Sequence, residues 1–193
     1  MKKIAITLAL TAALGACASG MQGSSTAGTM PMTDTVMVGG AAMYPGKDIV
    51  DNAVNSKDHT TLVAAVKAAG LVDTLKGPGP FTVFAPTNAA FAALPAGTVD
   101  TLLKPENKGT LTKVLTYHVV PGRVDAASLA RMIAAGGGRA TLKTASGGNL
   151  YATASGSHIM ITDQKGDVAT VTIANVYQSN GVIHVVDKVM LPG

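Results

Sequence analysis

The stretch FTVFAPTNAAF at residues 81–91 decides how the rest of the chain is interpreted. Its first five residues alternate as a strand does, and we place Phe81 and Phe84 on one face of that strand. Pro86 stops strand pairing because it lacks a backbone N–H, and Thr87 can cap a following helix through its hydroxyl. The stretch contains no ionisable side chain, so we interpret it as a structural strand-to-helix corner.

The composition favours one domain with an aliphatic core. The chain has 193 residues, of which 47% are hydrophobic, 13% are charged and 4% are aromatic, and it contains no Trp. A domain usually has about 100–150 residues, so this length fits one domain with attachments. Without Lys2 and Lys3 the chain carries 13 basic and 11 acidic residues. So small an excess of positive charge, with so few aromatic rings, argues against nucleic-acid binding.

The first 16 residues have the three-part pattern of an export signal. Two lysines precede an apolar run over residues 4–14, which is too short to span a bilayer, and small residues follow it. Leu-Gly-Ala-Cys at residues 14–17 resembles a bacterial lipobox. The resemblance implies cleavage before Cys17, lipidation of its thiol and, with Ala18 next, an outer-membrane destination. The alternative is that Cys17, the single cysteine, is an ordinary buried thiol behind a plain secretory signal.

Residues 17–45 are predicted to form a flexible tether. The segment is rich in Gly, Ser, Thr, Ala and Met, has almost no charge, and shows no strand or helix periodicity. Five of the nine methionines lie in it: Met21, Met30, Met32, Met37 and Met43. Thioethers are soft ligands that suit Cu(I), so periplasmic Cu(I) binding is one interpretation. The other is that methionine is a flexible apolar filler, because the spacings form no tight repeat.

Residues 46–193 have the pattern of a folded domain. Apolar residues at helical spacing predict a series of short amphipathic helices between residues 48 and 136. From Arg139 onward the spacing changes to two, which predicts five strands. Asn180-Gly181 predicts a tight turn between the last two strands. Helices in the first half, strands in the second and one early strand together predict an α+β domain.

Three stretches together resemble a known family. They are FTVFAPTNAAF at 81–91, TYHVVPGRV at 116–124 and SNGVIHVVDKVMLP at 179–192. These stretches are similar to the characteristic segments of the fasciclin (FAS1) domain, and the resemblance covers residues 46–193. It implies a fasciclin-like wedge of β-strands with a cluster of α-helices. It also implies a cell-surface adhesion module without catalytic activity, which in bacteria is often a lipoprotein.

The resemblance also carries over to individual residues. The family's Tyr-His pair is present as Tyr117-His118, which implies an adhesive surface near this pair. Animal members that bind integrins have Asp-Ile shortly before the Asn-Gly turn, whereas this chain has Asn175-Val176 at the matching positions. Recognition of the integrin type through that motif is therefore not expected.

The helical spacing places His118 on an apolar face. We therefore predict a buried, neutral imidazole whose ring nitrogens have partners, supplied by Asn88 and by residues 179–192. The complete predicted set of interaction or structural residues is Thr87, Asn88, Tyr117, His118, Asn175, Asn180, Gly181 and His184.

No pattern in the sequence predicts a catalytic residue, a cofactor or a metal site. His59, His158 and His184 lack the spacing to a second ligand that a structural metal site needs. Ser157 and His158 are adjacent but lack the Gly-x-Ser-x-Gly elbow, and neighbours in a strand point to opposite faces. We predict a lipid-anchored envelope protein, periplasmic or surface-exposed, that adheres to an unknown protein or glycan. Periplasmic Cu(I) binding by the tether and a cryptic esterase are the alternatives.

Overall fold

The computed structural model describes residues 35–193, so the export signal, Cys17 and three of the tether methionines lie outside the described range. The helices are α1 (Ile49–Ala53), α2 (Thr60–Ala69), α3 (Val72–Lys76), α4 (Asn88–Ala92), α5 (Thr98–Leu103), α6 (Lys108–Tyr117) and α7 (Ala126–Ala135). The strands are β1 (Val36–Val38), β2 (Ala41–Met43), β3 (Phe81–Pro86), β4 (Val119–Pro121), β5 (Arg139–Lys143), β6 (Asn149–Ser155), β7 (His158–Thr162), β8 (Val168–Gln178) and β9 (Gly181–Val186). The predicted α+β class is confirmed.

Seven of the strands form one sheet in the order β4-β3-β9-β8-β7-β6-β5. Neighbours in this sheet are antiparallel except β3 and β9, which run parallel with Phe81 opposite Gly181. β8 pairs with β7 through its first residues and with β9 through its later ones. Register shifts between Val171 and Val176 interrupt this second pairing, as β-bulges do where a strand bends.

β3 separates two hydrophobic cores. Val83 and Ala85 belong to a core built with α1, α2, α3 and α6, whereas Phe84 belongs to a core built with α7 and β5–β8. Phe81 packs against the first core, so the prediction that Phe81 and Phe84 share a face is wrong. Side chains alternate along a strand with a period of two, so residues three apart point to opposite faces.

Side chains cap several helices at their first turn. The carboxylates of Asp48 and Asp125 accept backbone N–H bonds at the starts of α1 and α7, and the Thr87 hydroxyl does so at the start of α4. β3 thus passes through one capping residue into α4, which confirms the predicted corner at residues 81–91. Within residues 35–193, no helix has both the length and the hydropathy needed to cross a bilayer.

The domain begins earlier than predicted. Residues 36–43, which we assigned to the tether, form an antiparallel hairpin of β1 and β2. Gly39 and Gly40 at its turn have φ of 58° and 74°, as a tight hairpin turn requires. Val38 and Met43 are buried in the first core. The tether prediction is therefore wrong for these residues. Strands of three residues are too short to show an alternating pattern, so the sequence did not reveal the hairpin.

Candidate functional site

Asn180 joins three elements at one end of the sheet. Its Oδ1 accepts from the Ile49 N–H at 3.1 Å, and its Nδ2 donates to the Leu75 carbonyl at 2.7 Å. Its backbone carbonyl accepts from the Phe81 N–H at 3.0 Å. The predicted turn is confirmed, with Ser179 and Asn180 as the residues between β8 and β9. The hydrogen bonds from the Asn180 side chain to α1 and α3 join residues 131 and 105 positions apart in the sequence, so no local pattern could reveal them.

Glycine is required where the chain segments meet at this end. A Cβ on Gly181 would overlap the Phe81 carbonyl oxygen, and a Cβ on Gly79 would overlap the Asn180 carbonyl oxygen. Gly181 was predicted as a turn residue, but it is the first residue of β9. Its role is to let the backbones of β9 and β3 approach each other closely.

An open groove of about 660 Å³ lies at the same end of the sheet. β3 and β9 begin here and β4 ends here, since β4 is antiparallel to β3. Two of the three stretches that resemble a family line the groove, through Arg123 of the second and Ser179 of the third, and the lining residue Pro80 directly precedes the first. We call this surface the motif groove; its lining includes Lys47, Asp51, Lys76, Pro80, Arg123 and Ser179.

One basic side chain of the motif groove is paired with carboxylates. The Lys76 ammonium lies 2.5 Å from Asp51 Oδ1 and 3.8 Å from Asp48 Oδ2. The hydrogen bond between Lys76 and Asp51 lowers the pKa of the Asp51 carboxyl and raises the pKa of Lys76. These groups are exposed, so the pair contributes little to folding and remains able to exchange partners.

The other two basic side chains of the groove, Lys47 and Arg123, form no salt bridge with a carboxylate within residues 35–193. The Lys47 ammonium lies 5.2 Å from the centre of the Tyr44 ring. Arg123 Nη2 donates to the Gln178 carbonyl at 3.1 Å. Lys47 and Arg123 are both exposed, so the groove presents two cations to whatever enters it.

Tyr117 and His118 lie in the interior, not on a surface. Both side chains are buried, and the Tyr117 hydroxyl donates to the Asn149 carbonyl at 2.7 Å and accepts from the Gln164 N–H at 3.0 Å. Burial raises the pKa of Tyr117. Neither side chain can touch a partner directly, so an adhesive surface formed by the pair itself is ruled out. The pair instead fixes the end of α6 against the start of β6, the turn after β7 and the segment after β9.

The hydrogen bonds of His118 define its protonation. Nδ1 donates to the Val114 carbonyl at 2.8 Å, and Nε2 accepts from the Met190 N–H at 3.0 Å. A carbonyl only accepts and an amide N–H only donates, so these partners select the neutral imidazole with its hydrogen on Nδ1. Burial lowers the pKa of His118 to about 4. The predicted burial and the predicted partner within residues 179–192 are confirmed.

Asn88 is not the partner of His118 that we predicted. Its Oδ1 accepts from the Thr61 N–H at 3.0 Å, and its Nδ2 donates to the Lys57 carbonyl at 2.8 Å. Asn88 therefore joins α4 to the start of α2. Thr87 has the predicted role, because its hydroxyl accepts from the Ala90 N–H at 3.3 Å.

Asn175 and His184 form a second internal junction. Asn175 has a φ of 60°, which asparagine adopts more readily than most residues, and its Oδ1 accepts from the Ala126 N–H at 2.8 Å. His184 is buried, its Nε2 donates to the Val124 carbonyl at 2.9 Å, and its ring stacks on Phe84. Burial lowers the pKa of His184. Both residues connect β8 and β9 to the start of α7.

Sequence reasoning missed the environment of His59. Its Nδ1 shares a hydrogen bond of 2.9 Å with Ser56 Oγ, and both residues are buried. The β1–β2 turn lies against them, since a Cβ on Gly39 would overlap Ser56 Oγ. Burial lowers the pKa of His59, and its Nε2 has no hydrogen-bond partner in the described part of the chain. A buried serine beside a histidine is not accessible to a substrate.

Within residues 35–193 the geometry gives little support to the alternatives of copper binding and esterase activity. Met43 is buried in the core, so it is not available as a copper ligand, while Met37 is exposed. Ser157 Oγ lies 3.4 Å from His158 Nδ1, which differs from our expectation because Ser157 lies in the turn before β7 and not in the strand. This contact is long and exposed. Over residues 35–193 no group of three or more His, Cys, Asp or Glu side chains could hold a metal ion.

Comparison with known proteins decides the family. The family model described as "Fasciclin domain" matches residues 57–192. The chain belongs to the fasciclin domain family. This fasciclin domain protein is 45% identical over 194 residues to Protein sll1483 of Synechocystis sp., with 100% of this chain and 99% of that protein covered. It is 34% identical over 160 residues to the cell surface glycolipoprotein MPB83 of Mycobacterium bovis, with 80% of this chain and 64% of that protein covered.

A solved structure confirms the fold. The fasciclin domain pair of the insect cell adhesion molecule fasciclin I aligns with a TM-score of 0.53 at 21% identity. The alignment covers 67% of this chain and 43% of that chain. The chain thus has the fold of a family that is linked to cell adhesion.

Proposed function

We propose that this fasciclin domain is a non-catalytic adhesion module of the bacterial envelope that binds its partner through the motif groove. The observation that carries the proposal is that Arg123 and Ser179, from two family segments far apart in sequence, line this groove beside Pro80, the residue directly before the remaining segment. Six residues of the predicted interaction set make internal hydrogen bonds with their side chains: Thr87, Asn88, Tyr117, His118, Asn175 and His184. Arg123 and Ser179 are exposed at the groove, so these two family segments reach solvent there.

The groove suits a polar partner with acidic groups. Lys47 and Arg123 are exposed and form no salt bridge with a carboxylate among the described residues, and glycine and proline form much of the remaining wall. An acidic protein surface or a glycan with carboxylates would satisfy these two cations. Arginine in particular can bind a carboxylate through two parallel hydrogen bonds.

Lipid on Cys17 anchors the domain in this proposal. The lipobox-like tetrad at residues 14–17 supports it, and so does the name of the relative MPB83, a cell surface glycolipoprotein. More than one acyl chain would give stable attachment, because each buried methylene adds about 0.8 kcal/mol. Residues 18–35 then remain as the tether between lipid and hairpin.

A binding assay on native envelope fragments tests the groove. Wild-type protein on beads is expected to retain the fragments, whereas the double variant Arg123→Ala and Ser179→Trp should retain about tenfold less. Arg131→Ala, which removes an exposed arginine from α7, is the matched control and should behave as wild type. Equal retention by all three proteins would show that the groove is not the contact surface.

Labelling of growing cells with a radioactive fatty acid tests the anchor. The wild-type protein should carry the label and sediment with the outer membrane. Cys17→Ser should carry no label and appear in the soluble fraction. A wild-type protein without label would remove the lipid anchor from the proposal while leaving the groove untouched.

A further inference from the structure

A cavity of about 100 Å³ lies between β3 and the helices α1, α2, α3 and α6. Its wall is made largely of apolar side chains, which include Val50, Ala53, Val66, Leu75 and Val83. The cavity shares no lining residue with the motif groove. Protein interiors are packed as densely as organic crystals and contain few voids larger than a water molecule, so a cavity of this size needs an explanation.

The interior of the cavity offers nothing to a polar occupant. A buried water needs two to four polar partners, and an apolar cavity stays dry. His118 contributes to the wall, but its two ring nitrogens are already bonded to the Val114 carbonyl and the Met190 N–H. The ring therefore presents only carbon to the cavity, and the occupant that fits is a hydrocarbon group.

The mouth of the cavity carries a single charge. Lys67, Thr74 and Ala145 also line the cavity and are exposed, so the cavity reaches solvent at these residues. Lys67 is the one charged residue among the lining residues, and within residues 35–193 no carboxylate forms an ion pair with it. An occupant with an apolar tail and an anionic head would match both the interior and the mouth.

We propose that this cavity binds a free short-chain alkanoate, with its tail inside and its carboxylate beside the Lys67 ammonium. The volume limits the length of the buried tail. A cavity of roughly 150 Å³ holds benzene, so one of this volume holds about four carbon atoms. Further methylenes of a longer chain would remain at the mouth. This site is independent of the adhesive role proposed for the motif groove.

Titration calorimetry with butanoate, pentanoate, hexanoate and octanoate tests the size of the site. Affinity should rise about fourfold for each methylene that enters the cavity and stop rising at about five carbons in total. A rise that continues to octanoate indicates nonspecific hydrophobic binding and overturns the proposal. The absence of saturable binding by any of the four acids overturns it as well.

A pair of variants on neighbouring helices locates the site. Ala53→Leu adds three carbons to a side chain that lines the cavity, and it should weaken hexanoate binding by about tenfold or more. Ala64→Leu makes the same change on the exposed side of α2, outside the cavity lining, and should bind as wild type. Circular dichroism of both variants shows whether the fold is retained. Equal affinities in the two variants contradict the assignment.

Replacement of the charge at the mouth tests the head group. Lys67→Ala should weaken binding of hexanoate several-fold and leave binding of hexanol unchanged, because only the acid uses the ammonium. Lys113→Ala, an exposed lysine of α6 outside the lining, is the control. Loss of both ligands to the same degree in Lys67→Ala would contradict the role of the charge. Vesicles of anionic phospholipid form a second arm: binding that depends on Lys67 only with vesicles would identify a membrane lipid and overturn the free alkanoate.

Discussion

Asp163 shows how one buried side chain serves several distant backbone groups. Its Oδ1 accepts from the N–H groups of Lys165 and Asp167 at 2.9 Å, and its Oδ2 accepts from the Leu191 N–H at the same distance. His118 accepts from the Met190 N–H, directly before Leu191. Asp163 and His118 together hold the C-terminal segment against the sheet. Buried polar groups are costly unless they are bonded, so side chains of this kind select one arrangement of the chain.

Gly181 is a residue at which one methyl group should have a large effect. In Gly181→Ala the new Cβ overlaps the Phe81 carbonyl oxygen, so β9 or β3 must shift. We expect the free energy of unfolding to fall by about 2–4 kcal/mol in chemical denaturation. Gly109→Ala is the control, since Gly109 lies in α6 with open space around it. This change should be neutral or stabilise by up to about 1 kcal/mol. Equal stability of the two variants would contradict the close approach of β3 and β9.

The N-terminal hairpin is an element whose contribution can be measured with two methionines. Met43→Ala removes a buried side chain from the first core and should lower the free energy of unfolding by about 2–4 kcal/mol. Met37→Ala removes an exposed side chain from the same hairpin and should change it by less than about 0.5 kcal/mol. Urea denaturation of both variants provides the comparison. Equal effects would mean that the hairpin is an appendage and not part of the domain.

The elements differ in how far the sequence could predict them. The helices between residues 48 and 136 were predicted from their apolar periodicity, and the corner at residues 81–91 from its alternation, its proline and its capping threonine. β1, β2 and β4 have three residues each, too few for a pattern. β9 is buried along its whole length, so alternation does not mark its faces. The motif groove depends on which strands become neighbours, and that information is not local.

At the scale of the whole molecule, the two cores contain basic groups that are neutral when the protein is folded. His59, His118 and His184 are all buried, and burial lowers the pKa of each. They lie against different helices and strands, so protonation would affect both cores at once. The domain as a whole, and not one local switch, should respond to acid.

The stability of this fasciclin domain should therefore fall between pH 6.5 and pH 4. In this window an unfolded histidine binds a proton, whereas His118, with a folded pKa of about 4, does not, so acid favours unfolding. The contribution of His118 is complete above pH 6.5 and is lost as the pH falls to about 4, which amounts to roughly 3 kcal/mol. Urea denaturation at pH 7.5 and 4.5 measures it. In His158→Ala, which removes an exposed histidine, the free energy of unfolding should fall by the same amount between the two pH values. In His118→Leu it should be lower at pH 7.5 and should fall by less. Equal stability of the wild-type protein at the two pH values would contradict the neutral, buried state of these rings.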